Sequence, residues 1–368
     1  MKTIGIIAEY NPFHNGHLYH INKIKELYPD SIIIHILNGY FLERGEISIL
    51  TKEDKTKIAL ENNIDIVLEL PTLFGTQSAD TFADKSISIL NNFKVDTIIF
   101  GSECNNIDIL KSIAKKQLSE EFQENVKTYL SDGINYPTAL AKALNIDFTF
   151  NPNDLLGISY IKSAIINNYN IEFVTIKRTN NYHDIESNEK IISASNIREK
   201  LKNNIDIKKY LPDSVYTKII NVNNNTYFKL LKAKIITDEN LDTYLDVDEG
   251  IEYRLKKYIN DATRVDEFMN LIKTKRYTYN KLNRMFIHIL LGIKKIDAKE
   301  NLDYIKILGF NKKGRKYIQS IKENLQIPTK VNKNSKVYNY ELKASLLYDL
   351  INNTNTYSYE IKNKPESK

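Results

Sequence analysis

The chain has 368 residues, 42% hydrophobic and 27% charged, enough to bury the cores of two ordinary domains and incompatible with whole-chain disorder. Its one cysteine, Cys104, excludes a disulfide framework and any multi-cysteine zinc site, and suits a reducing, cytoplasmic setting. The net charge of +6 hides an asymmetry: residues 1–205 carry 21 Lys and Arg against 26 Asp and Glu, whereas residues 206–368 carry 31 against 20, the footprint expected where a polyanion docks.

The N-terminal stretch MKTIGIIAEYNPF ends in Glu9, Asn11 and Pro12 without a small-residue cleavage site, so it reads as a buried strand and not a signal peptide. Further strands are expected at 31–37, 66–70, 97–100 and 171–176, each a nearly continuous Ile, Val and Leu run of the kind that is covered on both faces. Helical patterns lie between them at 16–27, 52–62 and 80–91, in a longer insert at 107–144, and at 154–166. This alternation predicts an open parallel α/β sheet whose ligand crevice lies at the carboxyl ends of its strands. Beyond residue 201 the spacing becomes helical, as at 251–259, 279–291 and 312–325, so a mainly helical second domain is expected. Asn203, Asn204 and Pro212 mark the joint, giving domains at 1–205 and 206–368. The longest apolar run, 285–293 with His288 inside it, is far short of a membrane span, and the Asn- and Tyr-rich tail from 352 is expected to be loosely ordered.

The chemistry concentrates in residues 5–20, GIIAEYNPFHNGHLYH. A strand ends at Glu9, a turn runs through Asn11 and Pro12, and His14-Asn15-Gly16-His17 opens a helix. Helix N-termini present free N–H groups and partial positive charge, which suits phosphate. Two imidazoles three residues apart there can donate to one phosphate, and Gly16 lets a nucleotide approach the backbone. A zinc site is disfavoured, since His20 is the only nearby third ligand and no HExxH glutamate is present. A purely structural histidine pair is the other reading, set against three of the six histidines falling within seven residues.

These residues resemble the HxGH nucleotidyltransferase superfamily. The blocks AEYNPFHNGHLYH, NGYFLERGE (38–46), DIVLELP (65–71), QSADTFA (77–83), FGSE (100–103), NDLLGISY (153–160), IKRTNNYHD (176–184) and SASNIR (193–198) together resemble the bacterial tRNA(Met) cytidine acetate ligase family. The resemblance implies a Rossmann-like nucleotidyltransferase domain followed by a helical tRNA-binding domain. It also implies an enzyme that uses ATP to form acetyl-adenylate and acetylates N4 of the wobble cytidine of elongator tRNA(Met), with His14 and His17 catalytic. Its ATP site would comprise Ile7, Ala8, Glu9, Tyr10, Asn11, Pro12, Phe13, His14, Asn15, Gly16, His17, Leu18, Tyr19, His20, Gly101, Asn153 and Arg178.

Each position has a physical role available to it. Gly101 ends a strand where a side chain would collide with base or ribose, Asn153 offers an amide, and Arg178 is a permanent cation for phosphate. Ser193, Ser195 and Arg198 sit where a new helix would aim N–H groups at phosphate. The loop at 39–46 departs from the family's block, which has Gln before the Arg and Pro-Ala after the Glu; here Glu43, Ile47 and Ser48 stand instead, while Arg44, Gly45 and Glu46 remain. His183 and Asp184 could be a catalytic pair, part of an acetate pocket or a capped loop.

Basic clusters beside tyrosines, Lys273, Lys275, Arg276 and Lys312, Lys313, Arg315, Lys316, are the expected tRNA contacts, with a solvated helix face as the alternative. Magnesium is expected only as the companion of ATP, with no metal site on the protein, and no membrane or obligatory protein partner is expected. The first half alone would also allow a small-molecule nucleotidyltransferase, and the whole a non-enzymatic RNA-binding protein with a vestigial nucleotide pocket.

Overall fold

The computed structural model describes residues 1–134, 136–144, 151–178, 190–362 and 364–368. Each predicted β-branched run forms a strand: β1 (Thr3–Ile7), β2 (Ile32–Asn38), β3 (Ile66–Leu70), β4 (Thr97–Ser102) and β5 (Glu172–Lys177). The helices between them are α1 (Asn15–Leu27), α2 (Lys52–Glu61), α3 (Thr72–Gly75), α4 (Ala79–Asn92), α5 (Ile107–Gln117), α6 (Glu120–Ser131), α7 (Tyr136–Leu144) and α8 (Pro152–Ile166). Then follow α9 (Ala194–Lys202), α10 (Asp213–Tyr216), α11 (Asn224–Thr237), α12 (Ile251–Tyr258), α13 (Val265–Ile272) and α14 (Tyr279–Leu291). The chain closes with β6 (Ile307–Phe310), α15 (Lys312–Ile321), α16 (Lys336–Asn352), α17 (Tyr357–Lys362) and β7 (Glu366–Ser367).

The sheet order is β5-β4-β1-β2-β3-β6-β7, with β1 to β5 mutually parallel and β6 antiparallel to β3. Because side chains alternate along a strand, Ile32, Ile34 and Ile36 enter one core and Ile33 and Leu37 the other. The first core holds α4 to α8 and the later helices α11 to α14 and α16; the second holds α1, α2, α9 and residues 207–215. Strand order reverses between β1 and β4, and an α/β sheet opens its ligand crevice at such a point.

The second half is mainly helical, as expected, and adds two short strands, β6 and β7, to the sheet; the four-residue run ILGF is too short to separate a strand from a helix by periodicity. One expectation is corrected. The tail is ordered: α17 brings Glu360 into the core, where its carboxylate accepts from Tyr40 Oη at 2.8 Å and Lys306 Nζ at 2.6 Å. Lys52 Nζ lies 2.5, 2.8 and 2.5 Å from oxygens of Glu69, Glu341 and Glu360, all fully buried, and Glu341 also accepts the Thr72 N–H. This charge cluster fastens the C-terminal helices α16 and α17 to α2 and β3, and desolvation is offset there only because every group has several partners. Among the described residues no helix is long and apolar enough to cross a membrane.

Candidate active site

His14 is the N-cap of α1, with extended backbone (φ −143°, ψ 173°). Its Nδ1 accepts from Gly16 N at 3.0 Å, and His17 Nδ1 accepts from His14 N at 3.3 Å, so two imidazoles form the capping box usually built by Ser and Glu. Burial lowers the pKa of His14 to about 3, with Arg178 and Arg198 adding to the effect; burial, then the neighbouring His14, holds His17 well below its ordinary value. Both rings are therefore neutral, and a neutral ring that accepts at Nδ1 carries its proton on Nε2. The cap thus leaves each histidine one N–H donor that is free among the described residues. The rings lie 4.0 Å apart and are wedged by Tyr10 and Phe13 at 4.8 and 5.6 Å from His17. Behind Tyr10, His35 on β2 donates from Nε2 to the Ala8 carbonyl at 2.9 Å.

The ends of β4 and α8 lock together. Asp154, fully buried, accepts from Ser102 Oγ at 2.5 Å and from the Glu103 and Cys104 N–H groups at 3.1 and 3.2 Å. Glu103 in turn accepts from Asn153 Nδ2 at 2.5 Å and lies 3.6 Å from Arg178 Nε. The Arg178 stem crosses Gly101, where an added Cβ would stand 3.4 Å from its Cγ. Gly157 makes room for Phe100, whose Cε2 would be 2.2 Å from a Cβ there.

The loop after β2 closes the cleft from the other side. Glu9 Oε1 accepts from Asn38 Nδ2 at 2.7 Å and from Glu43 N at 2.8 Å, fixing the loop to the end of β1. Lys55 supports the same strand ends by donating to the carbonyls of Glu9, Asn38 and Gly39 at 3.3, 2.8 and 2.6 Å. Gly45, at φ +71°, lies against the α14 backbone, where a Cβ would be 2.3 Å from Arg284 N. Burial pushes the Glu43 carboxyl up to about 7, opposed by Arg284, whose Nη1 lies 3.7 Å away. Arg198 donates from Nη2 to both Glu46 oxygens at 2.7 and 2.6 Å and from Nη1 to the Asn11 carbonyl at 2.8 Å. Ser193 caps α9, accepting from Asn196 N at 3.2 Å, so a second helix starts at the cleft as the SASNIR block suggests.

The cleft encloses ≈ 260 Å³ and is lined by Ile7 to Asn11, His14, Gly16, His17, Tyr19, His20, Arg44, Gly101, Asn153, Arg178, Ser193, Ser195 and Arg198. Pro12, Phe13, Asn15 and Leu18 do not line it: Phe13 is buried against Tyr10 and His17, and Asn15 turns to the carbonyls of Lys190 and Lys209. Among the described residues the Tyr10 hydroxyl, Asn11 Nδ2 and His20 Nε2 are buried without partners, an unusual grouping that suits a polar ligand. Sequence reasoning passed over Phe82, Phe100, Leu156 and Tyr160, which form an apolar wall; all lie inside the quoted blocks. Nothing in the sequence marks Arg284.

Lys273 Nζ sits 4.2 Å over the Tyr279 ring and Arg276 pairs with Glu249 at 3.0 Å, in the turn leading to α14. The 312–316 cluster lies elsewhere, at the amino ends of β2 and β3: Lys313 donates to the carbonyls of Asp30 and Ser31 at 3.1 and 2.7 Å, and Gly314 abuts Asp65. His183 and Asp184 lie outside the described residues. Among the described residues the one trio of metal-capable side chains is Glu69, Glu341 and Glu360, outside the cleft, and Lys52 already stands among them.

The sequence profile of the HIGH nucleotidyl transferase family matches residues 1–364. Proteins named tRNA(Met) cytidine acetate ligase are 37% identical in Caldicellulosiruptor bescii, over 95% of this chain and 94% of the relative, and 38% identical in Staphylococcus aureus, over 95% and 96%. Two crystal structures of Thermotoga maritima TmcAL match 100% of this chain and 99% of theirs: an apo form at TM-score 0.90 and 26% identity, and one bound with alpha-thio ATP at 0.86 and 25%. A neutral histidine capping box at the switch point of a parallel sheet, in a chain with these relatives along its whole length, leaves one conclusion: the chain belongs to the HIGH nucleotidyl transferase family and, within it, to the tRNA(Met) cytidine acetate ligases.

Proposed function

We propose that the chain is a cytoplasmic, ATP-dependent ligase that converts acetate to acetyl-adenylate and passes the acetyl group to N4 of the wobble cytidine of elongator tRNA(Met). The observation that carries this reading is the pair of Nε2–H donors at the start of α1, with Arg178 and Arg198 close enough to depress the His14 pKa. An acetate oxygen attacks the α-phosphorus of ATP, and the bond from that phosphorus to pyrophosphate breaks. Charge grows on the phosphate oxygens, where neutral N–H donors and a helix N-terminus stabilise it without giving up a proton.

In the second step cytosine N4 attacks the acetyl carbonyl, the bond from that carbon to the AMP oxygen breaks, and N4 loses a proton. Activation is required because a carboxylate is a poor electrophile and the N4 lone pair is delocalised into the ring. The apolar wall of Phe82, Phe100, Leu156 and Tyr160 supports a site that keeps water from the mixed anhydride. In this scheme residues 1–205 do the chemistry, residues 206–368 serve the RNA, and magnesium arrives with ATP.

The test is acetate-dependent ATP–pyrophosphate exchange. His14→Ala and His17→Ala are each expected to reduce it by on the order of 10²–10³-fold, the usual cost of one lost transition-state donor. Loss of the cap should lower stability by only ~1 kcal/mol. Wild-type protein with ATP, labelled acetate and total tRNA should yield N4-acetylcytidine on digestion. Unchanged exchange in both variants, or label in no nucleoside, refutes the assignment.

A further inference from the structure

The RNA reading depends on how a single-stranded base reaches a cleft at the carboxyl ends of the strands, so the cations that matter must stand at that end. The 312–316 cluster does not. Lys313 is held by carbonyls that precede β2, and Gly314 packs on the residue before β3, a strand's length of roughly 15–20 Å from the cleft. A different set of lysines stands on segments fastened to the start of α1. Asn15, the first residue of α1 and neighbour of His14, donates from Nδ2 to the backbone carbonyls of Lys190 at 2.9 Å and Lys209 at 3.0 Å. That one side chain ties two separate segments to the helix end that carries the catalytic pair.

Lys190, Lys208 and Lys209 are all exposed, and the residues just after Lys190, from Ile191 to Ser195, line the cleft. Among the described residues none of the three forms an ion pair with a carboxylate, whereas Arg198 beside them is committed to Glu46. Lys208 Nζ lies 5.1 Å from the ring of exposed Tyr216, and Lys209 Nζ lies 5.0 Å from that of Tyr210. Lysines without a carboxylate partner, two of them next to aromatic rings and all on segments fastened beside the first helix of the cleft, are what a single-stranded polyanion needs: lysines neutralise the flanking phosphates and the exposed ring offers a stacking face.

Resting on the function proposed above, we infer that the RNA substrate enters across this lip and that Lys190, Lys208 and Lys209 contact the phosphates flanking the target cytidine. The 312–316 cluster takes no part in holding the base at the cleft.

The test compares the triple variant Lys190→Gln, Lys208→Gln, Lys209→Gln with a control, Lys312→Gln, Arg315→Gln, Lys316→Gln. Affinity for an elongator tRNA(Met) transcript is measured from 50 to 300 mM KCl, alongside acetate-dependent ATP–pyrophosphate exchange, which needs no RNA and reports an intact cleft. The lip variant should bind at least tenfold more weakly at the lower salt, with a log–log salt slope shallower by about 2 for three lost contacts. Its exchange should stay within twofold of wild type, and the control should bind within twofold. Wild-type tRNA affinity in the lip variant, or an equal loss in the control, overturns the inference. Failure of the wild-type protein to acetylate tRNA instead refutes the proposed function on which it rests.

Discussion

Glu43 permits a prediction with a worked magnitude. Its carboxyl lines the cleft, is only 14% exposed, and is pushed by burial up to about 7 from the ordinary 4.5, with Arg284 drawing it down and Glu9 pushing it up. The folded state therefore holds a proton that the unfolded chain gives up near pH 4.5. Between those two values the folded state binds more protons, so stability falls as pH rises, and the loss is complete above about 7. A rise from 4.5 to about 7 corresponds to roughly 3 kcal/mol, little reduced by solvent because so little of the group is exposed.

Glu43→Gln keeps the shape and removes the titration, while Arg284 retains Asp246 at 3.5 Å. Urea denaturation of both proteins at half-unit steps from pH 4 to 9 should give a stability difference that grows in favour of the Gln variant across pH 4.5–7. It should then level off at ~2–4 kcal/mol. A difference that is constant with pH would mean that Glu43 titrates normally and that burial at the cleft does not govern it.

Further outcomes follow from packing. Gly157→Ala should force the Phe100 ring, 2.2 Å from the new Cβ, into the cleft it lines, at a cost of ~1–3 kcal/mol; KM for ATP in the exchange reaction should rise, and Phe100→Leu in the same chain should restore it. If Gly157→Ala leaves KM unchanged, that wall is not against the nucleotide. Lys52→Met removes the one ammonium shared by Glu69, Glu341 and Glu360 and should destabilise by ~3–5 kcal/mol, read as the urea midpoint at pH 7.5. A loss below ~1 kcal/mol would mean that the cluster does not fasten the C-terminal helices to β3.

Much of the catalytic half is legible from residue order alone because its signals are local. Ile- and Val-rich runs of four to seven residues that alternate with helical patterns read as covered strands, and β1 to β5 form at the predicted places within two residues. The HNGH turn is equally local: a cap is closed by residues within three positions of one another, so sequence spacing already places both imidazoles at one helix end. Spacing does not reveal the protonation of those rings. That depends on burial by Tyr10 and Phe13 and on Arg178 and Arg198, which come from far along the chain.

The tertiary structure alone decides everything that rests on long-range pairing. The tail looks polar and disordered because Glu360 has no partner until Lys52 and Lys306 surround it, and β6 reads as ambiguous until β3 offers an edge. Arg284, unmarked in its helix, acquires meaning only where Gly45 lets a loop from the other half lie on its backbone. Charge is the clearest case. The densest run of lysines folds to the amino ends of the strands, while scattered lysines at 190, 208 and 209 come together beside the start of α1, where Asn15 bonds the carbonyls of Lys190 and Lys209. Composition sums charge along the chain, but a substrate meets the field in space, and only the fold determines which end of the sheet each cation occupies.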